Sequence, residues 1–440
     1  MDRAFDDNAA VWLDGAPPDE PAPPLAGGLE VDVAIIGGGF TGVSAAYHLS
    51  RRFPDRGIAL VEARRLGNGA SGRNGGLVLN GITDGDPDAM AREHALTRGA
   101  IDALEALIRD RGLPVRFRRA GCVQLCTTPR SAEVAHALVE QLAARGVPLT
   151  FLRGAELDAV LRARGACGGV LDPTEGVLNG VDLLRAMRPL LVEQGVQIFE
   201  STPVARVREG TTIELATPGG TVRARAIVLA TSGYTPRLGY FRSGVLPVIS
   251  HVIATAPLGP ELLERTGLGR ISGFHDDAPR LAYGSVDAAG RLVFGGGTNA
   301  AYGYRFGNGT ACGRPGDRAV RAIERSLLDY FPELAGVPIQ HRWSGPLDLT
   351  LPRHCAIGVT GAHGNVYYAL GYSGHGVTLS NLAGRVLADL YAGDHDPWRG
   401  YAFYMKRPGG IPPEPLRWLG YHLYTRLTGG SPWKRRVAAR

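Results

Sequence analysis

The chain has 440 residues, 44% hydrophobic and 20% charged, which suits a globular protein of two lobes sharing a core and excludes extensive disorder. Its net charge of +6 is uneven: residues 406–440 hold eight basic side chains against Glu414 alone, +7, leaving −1 for residues 1–405. A neutral body without a basic stripe argues against nucleic-acid binding, and with no membrane-length apolar window and no secretory leader a cytoplasmic enzyme is expected. The five cysteines (Cys122, Cys126, Cys167, Cys312, Cys355) form no CxxC and no metal-ligand cluster, so they read as reduced core thiols with no metal site.

In chain order, a proline-rich leader (Pro17, Pro18, Pro21, Pro23, Pro24) reads as an extended arm. Segment 28–85 then opens with the apolar run 31–36, a G-x-G-x-x-G at Gly37, Gly39 and Gly42 enclosing Phe40 and Thr41, and a helical stretch 43–52. Gly37 permits a tight turn, Gly39 lets backbone approach a pyrophosphate, and Gly42 lets helix pack on strand, which together predict a dinucleotide at the helix N-terminus. Glu62, followed by Ala63 and Arg64, ends a second strand, Ile58–Val61, where a carboxylate accepts ribose hydroxyls. The next block, GASGRNGG, is Gly69, Ala70, Ser71, Gly72, Arg73, Asn74, Gly75 and Gly76, followed by Leu77. Its glycines suit close backbone approach to a flat ring, and its amides suit negative charge.

Segment 86–170 carries helical periodicity near 86–111 and 131–145 around a strand at 122–127. Segment 171–244 reads as a helix at 181–194, a strand around 197–207 that includes Val204, a hairpin, and a strand at 226–230 ending before Thr231. Segment 245–340 is strand-rich (247–256, 280–285, 291–295) with a helix at 319–330. Segment 341–400 begins at HRWSG and reaches a third glycine block, in which the strand Val366–Leu370 leads through Gly371, Ser373, Gly374 and His375 into a helix beginning near Gly376, Val377 and Thr378. Residues 401–440 form a basic tail.

These three blocks, in order over about residues 30–400, resemble the D-amino acid oxidase superfamily of FAD-dependent amine oxidoreductases, and the GRNGG form is most like gamma-glutamylputrescine oxidoreductases. The resemblance implies an α/β protein in which a Rossmann-like FAD-binding lobe (28–85, 171–244 and, as a return to the nucleotide side, 341–400) is interleaved with an α+β substrate lobe on a mainly antiparallel sheet (86–170 and 245–340). It implies that the second block lies along the diphosphate and isoalloxazine, that Val204 meets the adenine side through backbone, and that the strand ending at Thr231 passes beneath the cofactor. It also implies that the amides at 376–378 face the flavin N1 and C2 carbonyl. The implied reaction takes a hydride from the carbon beside an amine nitrogen, leaving an imine that water hydrolyses.

Departures from the family pattern bear on linkage and substrate. At the covalent-flavin positions of related enzymes this chain has Gly345 or Pro346, and Arg73 with Asn74, while Cys355 lies too far along; non-covalent FAD is expected. In the W-x-G-x-R pattern that grips a substrate carboxylate, Trp343 and Gly345 are followed by Leu347, so a cationic primary or secondary amine is expected, such as a polyamine derivative like gamma-glutamylputrescine. Asp348 could pair with the ammonium or cap a turn. Lys406 and Lys434 are the only lysines, so the lysine that activates oxygen in sarcosine oxidases is absent and the acceptor is oxygen or another molecule. His251 could be a base or a structural residue; Tyr302 and Tyr304 could be pocket walls or core. His375 is expected to act through its backbone.

The alternatives are an amino-acid oxidase or a quinone-linked amino-acid dehydrogenase of the same superfamily. A flavin aromatic hydroxylase would carry a GD block where this chain has GYSGHG, and a catalytically idle binding module would carry degenerate blocks. In the tail, Leu416, Leu419, Leu423 and Leu427 fall at helical spacing with Arg417 and Arg426 off that line, accompanied by Trp418, Tyr421 and Tyr424 and followed by Lys434–Arg436. The leucine row is expected to dock on the chain itself or on a sister subunit, with an anionic lipid surface as the alternative.

Overall fold

In the computed structural model, which describes residues 9–16, 19–81, 86–278, 280–351 and 354–427, the apolar runs become the centre of a parallel sheet. Leu29–Ile36 pairs in parallel with Ile58–Val61 on one side and Gly220–Leu229 on the other. Gln197–Phe199 and Val366–Leu370 extend the two edges, also in parallel. Both faces of this sheet are covered, which is why its strands read as continuous apolar runs rather than as alternating ones. Helices Phe40–Arg52, Pro87–Asp110, Gly180–Glu193 and Gly376–Tyr391 share one large core with one face. Phe40–Arg52 and Gly376–Tyr391 cross at Gly384, where a Cβ would stand 2.3 Å from the Ser44 carbonyl carbon.

The strand expected over 197–207 is two strands. Gln197–Phe199 stays in the parallel ladder, while Arg206–Arg208 belongs to a hairpin with Ile213–Thr217. Between them the buried Glu200 carboxylate accepts the N–H groups of Ala22 and Leu66, each at 2.6 Å, and pairs with Arg188 at 2.9 Å. Pro203, without an N–H, cannot continue the ladder. The leader is extended from residue 19 and held by Asp19 on Arg185 and Arg188 and by Leu25 N–H on Thr202; Pro17 and Pro18 lie outside the described residues.

The second sheet has nine strands. Its axis, Leu246–Pro257, pairs antiparallel with Arg291–Gly296, Tyr302–Tyr304 and Ile339–Leu349. Ala282–Val286 and Gly273–Asp276 follow, and Cys122–Cys126 joins the latter in parallel. Residues 341–349 therefore lie in this sheet, in register from Ile339 opposite Thr255 to Leu349 opposite Leu246, and the chain rejoins the parallel sheet only at Ala356–Thr360. The apolar alternation of HRWSGPLDL was read as a return to the nucleotide side because sequence period does not say which sheet a strand joins. A buried turn, Val11–Leu13, seats Trp12 against Val177, Val181, Val252 and Trp343. The five cysteines are free and four are buried. Among the described residues no helix is long and apolar enough to cross a membrane.

Candidate active site

A cavity of about 880 Å³ lies between the carboxyl ends of the parallel strands and one face of the antiparallel sheet, the place where open α/β sheets bind ligands. The first glycine block forms one end. Gly37 has φ +109°, and a Cβ there would stand 2.6 Å from the Ala230 carbonyl oxygen. A Cβ on Gly42 would stand 1.9 Å from the Gly37 oxygen, so helix and turn touch directly. Gly39 begins the helix without a side-chain cap and lines the cavity with Phe40 and Thr41.

Glu62 ends its strand at this wall. Its carboxylate accepts N–H groups from Gly38 at 2.7 Å and Arg64 at 2.8 Å. Burial raises its pKa, and those bonds oppose the rise. Ala63, Arg64, Val204 and Thr231 line the same end.

Hydrogen bonds join the three blocks to one another. Phe40 N–H donates to Ser71 Oγ at 3.0 Å, and Thr41 and Tyr372 share a hydroxyl bond of 2.7 Å. In the second block Asn74 braces its own turn, accepting from Gly76 N–H at 2.7 Å and donating to the Ala70 and Ser71 carbonyls. Two indoles hold its backbone from behind: Trp343 donates to the Arg73 carbonyl at 2.8 Å and Trp12 to the Asn74 carbonyl at 2.7 Å. Gly75 faces Tyr283, whose ring would lie 2.6 Å from a Cβ. Ala70, Ser71, Arg73, Asn74, Gly75 and Leu77 line the cavity.

The third block closes the far side with Ser373, Gly374, His375, Gly376 and Val377. The helix Gly376–Tyr391 starts at the cavity, and His375 at its N-cap makes no side-chain cap. Five residues expected at the cofactor stand behind the wall. Gly42, Gly72, Gly76 and Gly371 are tight packing positions, with Cβ positions 1.9 to 2.7 Å from neighbouring atoms, and Thr378 is buried on the helix interior. Two uncapped helix N-termini, glycine cradles and a carboxylate at the end of a strand thus share one cavity, a donor and acceptor set that fits an elongated dinucleotide.

The substrate-side expectations need correction. His251 does not line the cavity: its strand neighbours Val248, Ser250 and Val252 do, and strand alternation turns His251 to the other face. There its Nδ1 meets Ser344 Oγ at 2.6 Å, and Ser344 in turn donates to the Gly313 carbonyl at 2.8 Å. Tyr302 lines the cavity and donates to the Leu281 carbonyl. Tyr304 does not; Tyr421 covers its ring at 5.6 Å between centroids, and its hydroxyl is bonded to Glu414. Asp348 lines the cavity but accepts Gly371 N–H at 2.7 Å. Burial pushes its pKa up to about 6, offset first by that bond. It holds the glycine turn rather than standing free for an ammonium.

Several lining residues were not anticipated: Ser250, His275, Arg280, Tyr283 and Tyr421. His275 sits opposite Tyr283 in the sheet; its Nδ1 is buried without a hydrogen-bond partner, and burial, then His375, pushes its pKa down to about 4. Arg280 lies over the Tyr302 ring, 6.0 Å from its centroid. Leu347 does stand where the carboxylate-gripping arginine was absent, yet Arg280 brings a guanidinium to the cavity from the strand-edge turn of another hairpin. Among the described lining residues the only carboxylates are Glu62 and Asp348, both already bonded.

The fold and this cavity define a flavin-dependent oxidoreductase, and comparison with known proteins agrees. The FAD dependent oxidoreductase (DAO) family matches residues 32–390, and the chain belongs to it, an enzyme class that acts on CH–NH bonds. A probable oxidoreductase OrdL of Rhizobium meliloti is 30% identical over 405 residues, covering 87% of this chain and 88% of its own. The gamma-glutamylputrescine oxidoreductase of Escherichia coli is 29% identical over 387 residues, covering 84% and 86%. Among solved structures, glycine oxidase from Geobacillus kaustophilus superposes with a TM-score of 0.73 at 23% identity, covering 87% of this chain and all of that one, a likeness of fold.

Proposed function

We propose that the protein oxidises a primary or secondary amine that carries a carboxylate away from the reacting C–N bond, of the kind represented by gamma-glutamylputrescine. The observation that carries this reading is Arg280 lining the cavity beside Tyr302, on a different hairpin from the strand that carries Leu347, where an α-carboxylate would be gripped. A guanidinium in a partly dry cavity is a strong carboxylate partner. The chemistry supplied by bound FAD is acceptance of a hydride from the carbon beside the amine nitrogen.

The chain's own groups prepare that step. An amine must be neutral to give up the hydride, and His275, kept neutral by burial with Nδ1 unengaged, adds no positive charge to the cavity and offers a hydrogen-bonding nitrogen there. Tyr283, Ser250 and Tyr302 narrow the cavity around it. The uncapped amides at Gly376 and Val377 line the cavity and would favour negative charge on a reduced flavin held there. Non-covalent FAD is supported by the residues at the two tethering positions, Gly345 with Pro346 and Arg73 with Asn74, and by burial of Cys355 in the helix-side core, outside the cavity lining.

The test is anaerobic bleaching of the flavin with gamma-glutamylated amines, free polyamines, N-methyl amines and α-amino acids. The carboxylated amines are expected to bleach fastest, readmitted air reports whether oxygen is the acceptor, and acid precipitation is expected to leave the flavin in the supernatant. Glycine or D-alanine outpacing every amine would overturn the substrate reading.

A further inference from the structure

One face of the C-terminal helix, Leu416–Leu427, is committed to the protein. Arg417 is 7% exposed and donates to the Pro412 and Arg242 carbonyls at 2.9 and 2.6 Å and to Asn308. Tyr421 lines the cavity, and the Thr425 carbonyl accepts from Asn299 at 3.4 Å. Just before the helix, Glu414 accepts Gly307 N–H and Trp418 N–H, both at 3.0 Å. Arg417, Tyr421 and Thr425 are spaced by four and form one stripe.

The leucine row, expected to dock on the chain itself or on a sister subunit, does not dock on the chain itself. Leu416, Leu419, Leu423 and Leu427 are 61, 54, 51 and 62% exposed. They form a continuous outward face, which a helix fixed to its own protein by a polar stripe has no folding reason to display. Tyr424, at 51% exposure, borders it, and such an amphipathic ring favours the headgroup level of a bilayer.

Charge selects the occupant. From Leu416 to the C-terminus the chain has six basic residues and no acidic one. Lys434, Arg435, Arg436 and Arg440 lie outside the described residues, so their contribution here is charge alone. A second copy would bring the same excess of basic residues and no acidic residue from this segment to oppose it, whereas an anionic lipid surface supplies the counter-charge.

We propose that the outward leucine face binds the surface of an anionic lipid bilayer, the helix lying in the interface without crossing it. Its twelve residues are too few to span. Because the opposite face supplies Tyr421 to the cavity wall, this contact brings the substrate end of the cavity within about 10 Å of the lipid, one helix diameter.

The test is sedimentation of the full FAD-loaded chain with vesicles of phosphatidylcholine alone or with about one third phosphatidylglycerol, at low and physiological salt. Binding to the anionic vesicles is expected, weakening with salt. The double change Leu419→Glu and Leu423→Glu, at exposed positions outside the cavity, is expected to lower partitioning at least about tenfold while flavin content and thermal midpoint stay unchanged. Equal partitioning of variant and wild type, or equal binding to pure phosphatidylcholine, would overturn the proposal. So would a wild-type dimer in sedimentation velocity that the variant makes monomeric, since a second copy would then be the occupant.

Discussion

Where the cavity borders the parallel sheet, glycines bring backbone to its surface: Gly37, Gly39, Gly75, Gly374 and Gly376, with Glu62 as the anchoring carboxylate. Where it borders the antiparallel sheet, its surface is side chains: Ser250, His275, Arg280, Tyr283 and Tyr302. Backbone walls are demanding about what may be added to them, and their amides favour negative charge whatever side chains stand beside them. Side-chain walls tolerate substitution sterically, and their chemistry is set by a few polar tips. Damage should therefore be all-or-none on the first wall and selective on the second.

The sharpest break is Gly42→Val. Its Cβ would meet the Gly37 oxygen at 1.9 Å, and no rotamer relieves a backbone contact. We expect loss of flavin from the purified protein and destabilisation on the order of 3 kcal/mol, read from the flavin-to-protein absorbance ratio and a urea midpoint. A yellow, stable variant would mean that the backbone wall is more pliable than its geometry.

Arg280→Met tests the other wall. Loss of a charge-assisted pair is worth about 2 kcal/mol, roughly 30-fold in Kd, and it should appear only for amines bearing a carboxylate, with flavin content and stability unchanged. Equal losses for carboxylated and plain amines would remove Arg280 from substrate recognition.

Asp348 spans both walls, and its effect is seen only in the pH dependence of stability. Its folded pKa, about 6, lies above the unfolded value near 3.8. The native state thus keeps a proton that the unfolded chain releases between those values, and stability falls as pH rises through that window. The cost above pH 6 is about 3 kcal/mol at most. Asp348→Asn should flatten this part of the stability profile, measured by denaturation at a series of pH values. An unchanged slope would show that another buried acid sets it; Asp276, also pushed up to about 6 by burial, and Glu62 and Glu175, both raised by burial, are the alternatives.

The same contrast explains what the sequence revealed. Glycine spacing constrains backbone directly, so the three blocks and the flavin-side wall were legible before any coordinates. The strand over residues 247–256 was legible too, but a period of two does not say which parity faces the ligand: His251 was preferred for its chemistry, and Ser250 holds the place. Tyr302 and Tyr304 share a parity, and they differ because Tyr421, from over a hundred residues later, covers Tyr304. His275 and Arg280 belong to a hairpin whose pairing with the rest of the sheet carries no local signal, so only the long-range register brings them to the cavity. Asp348 was read as a turn cap or an ammonium partner, and its bond to Gly371 N–H puts the carboxylate in the first of these roles.

The two indoles behind Arg73 and Asn74 set an order of events during synthesis. Trp12 lies 62 residues before Asn74 and Trp343 270 residues after Arg73, yet they grip adjacent carbonyls; Tyr372, the partner of Thr41, lies 331 residues beyond it. The nascent chain therefore carries its nucleotide signature long before it owns the groups that hold it in shape. Flavin capture is accordingly a late event of the whole chain, and until then an unfinished apolar cleft is exposed to aggregation and to proteases.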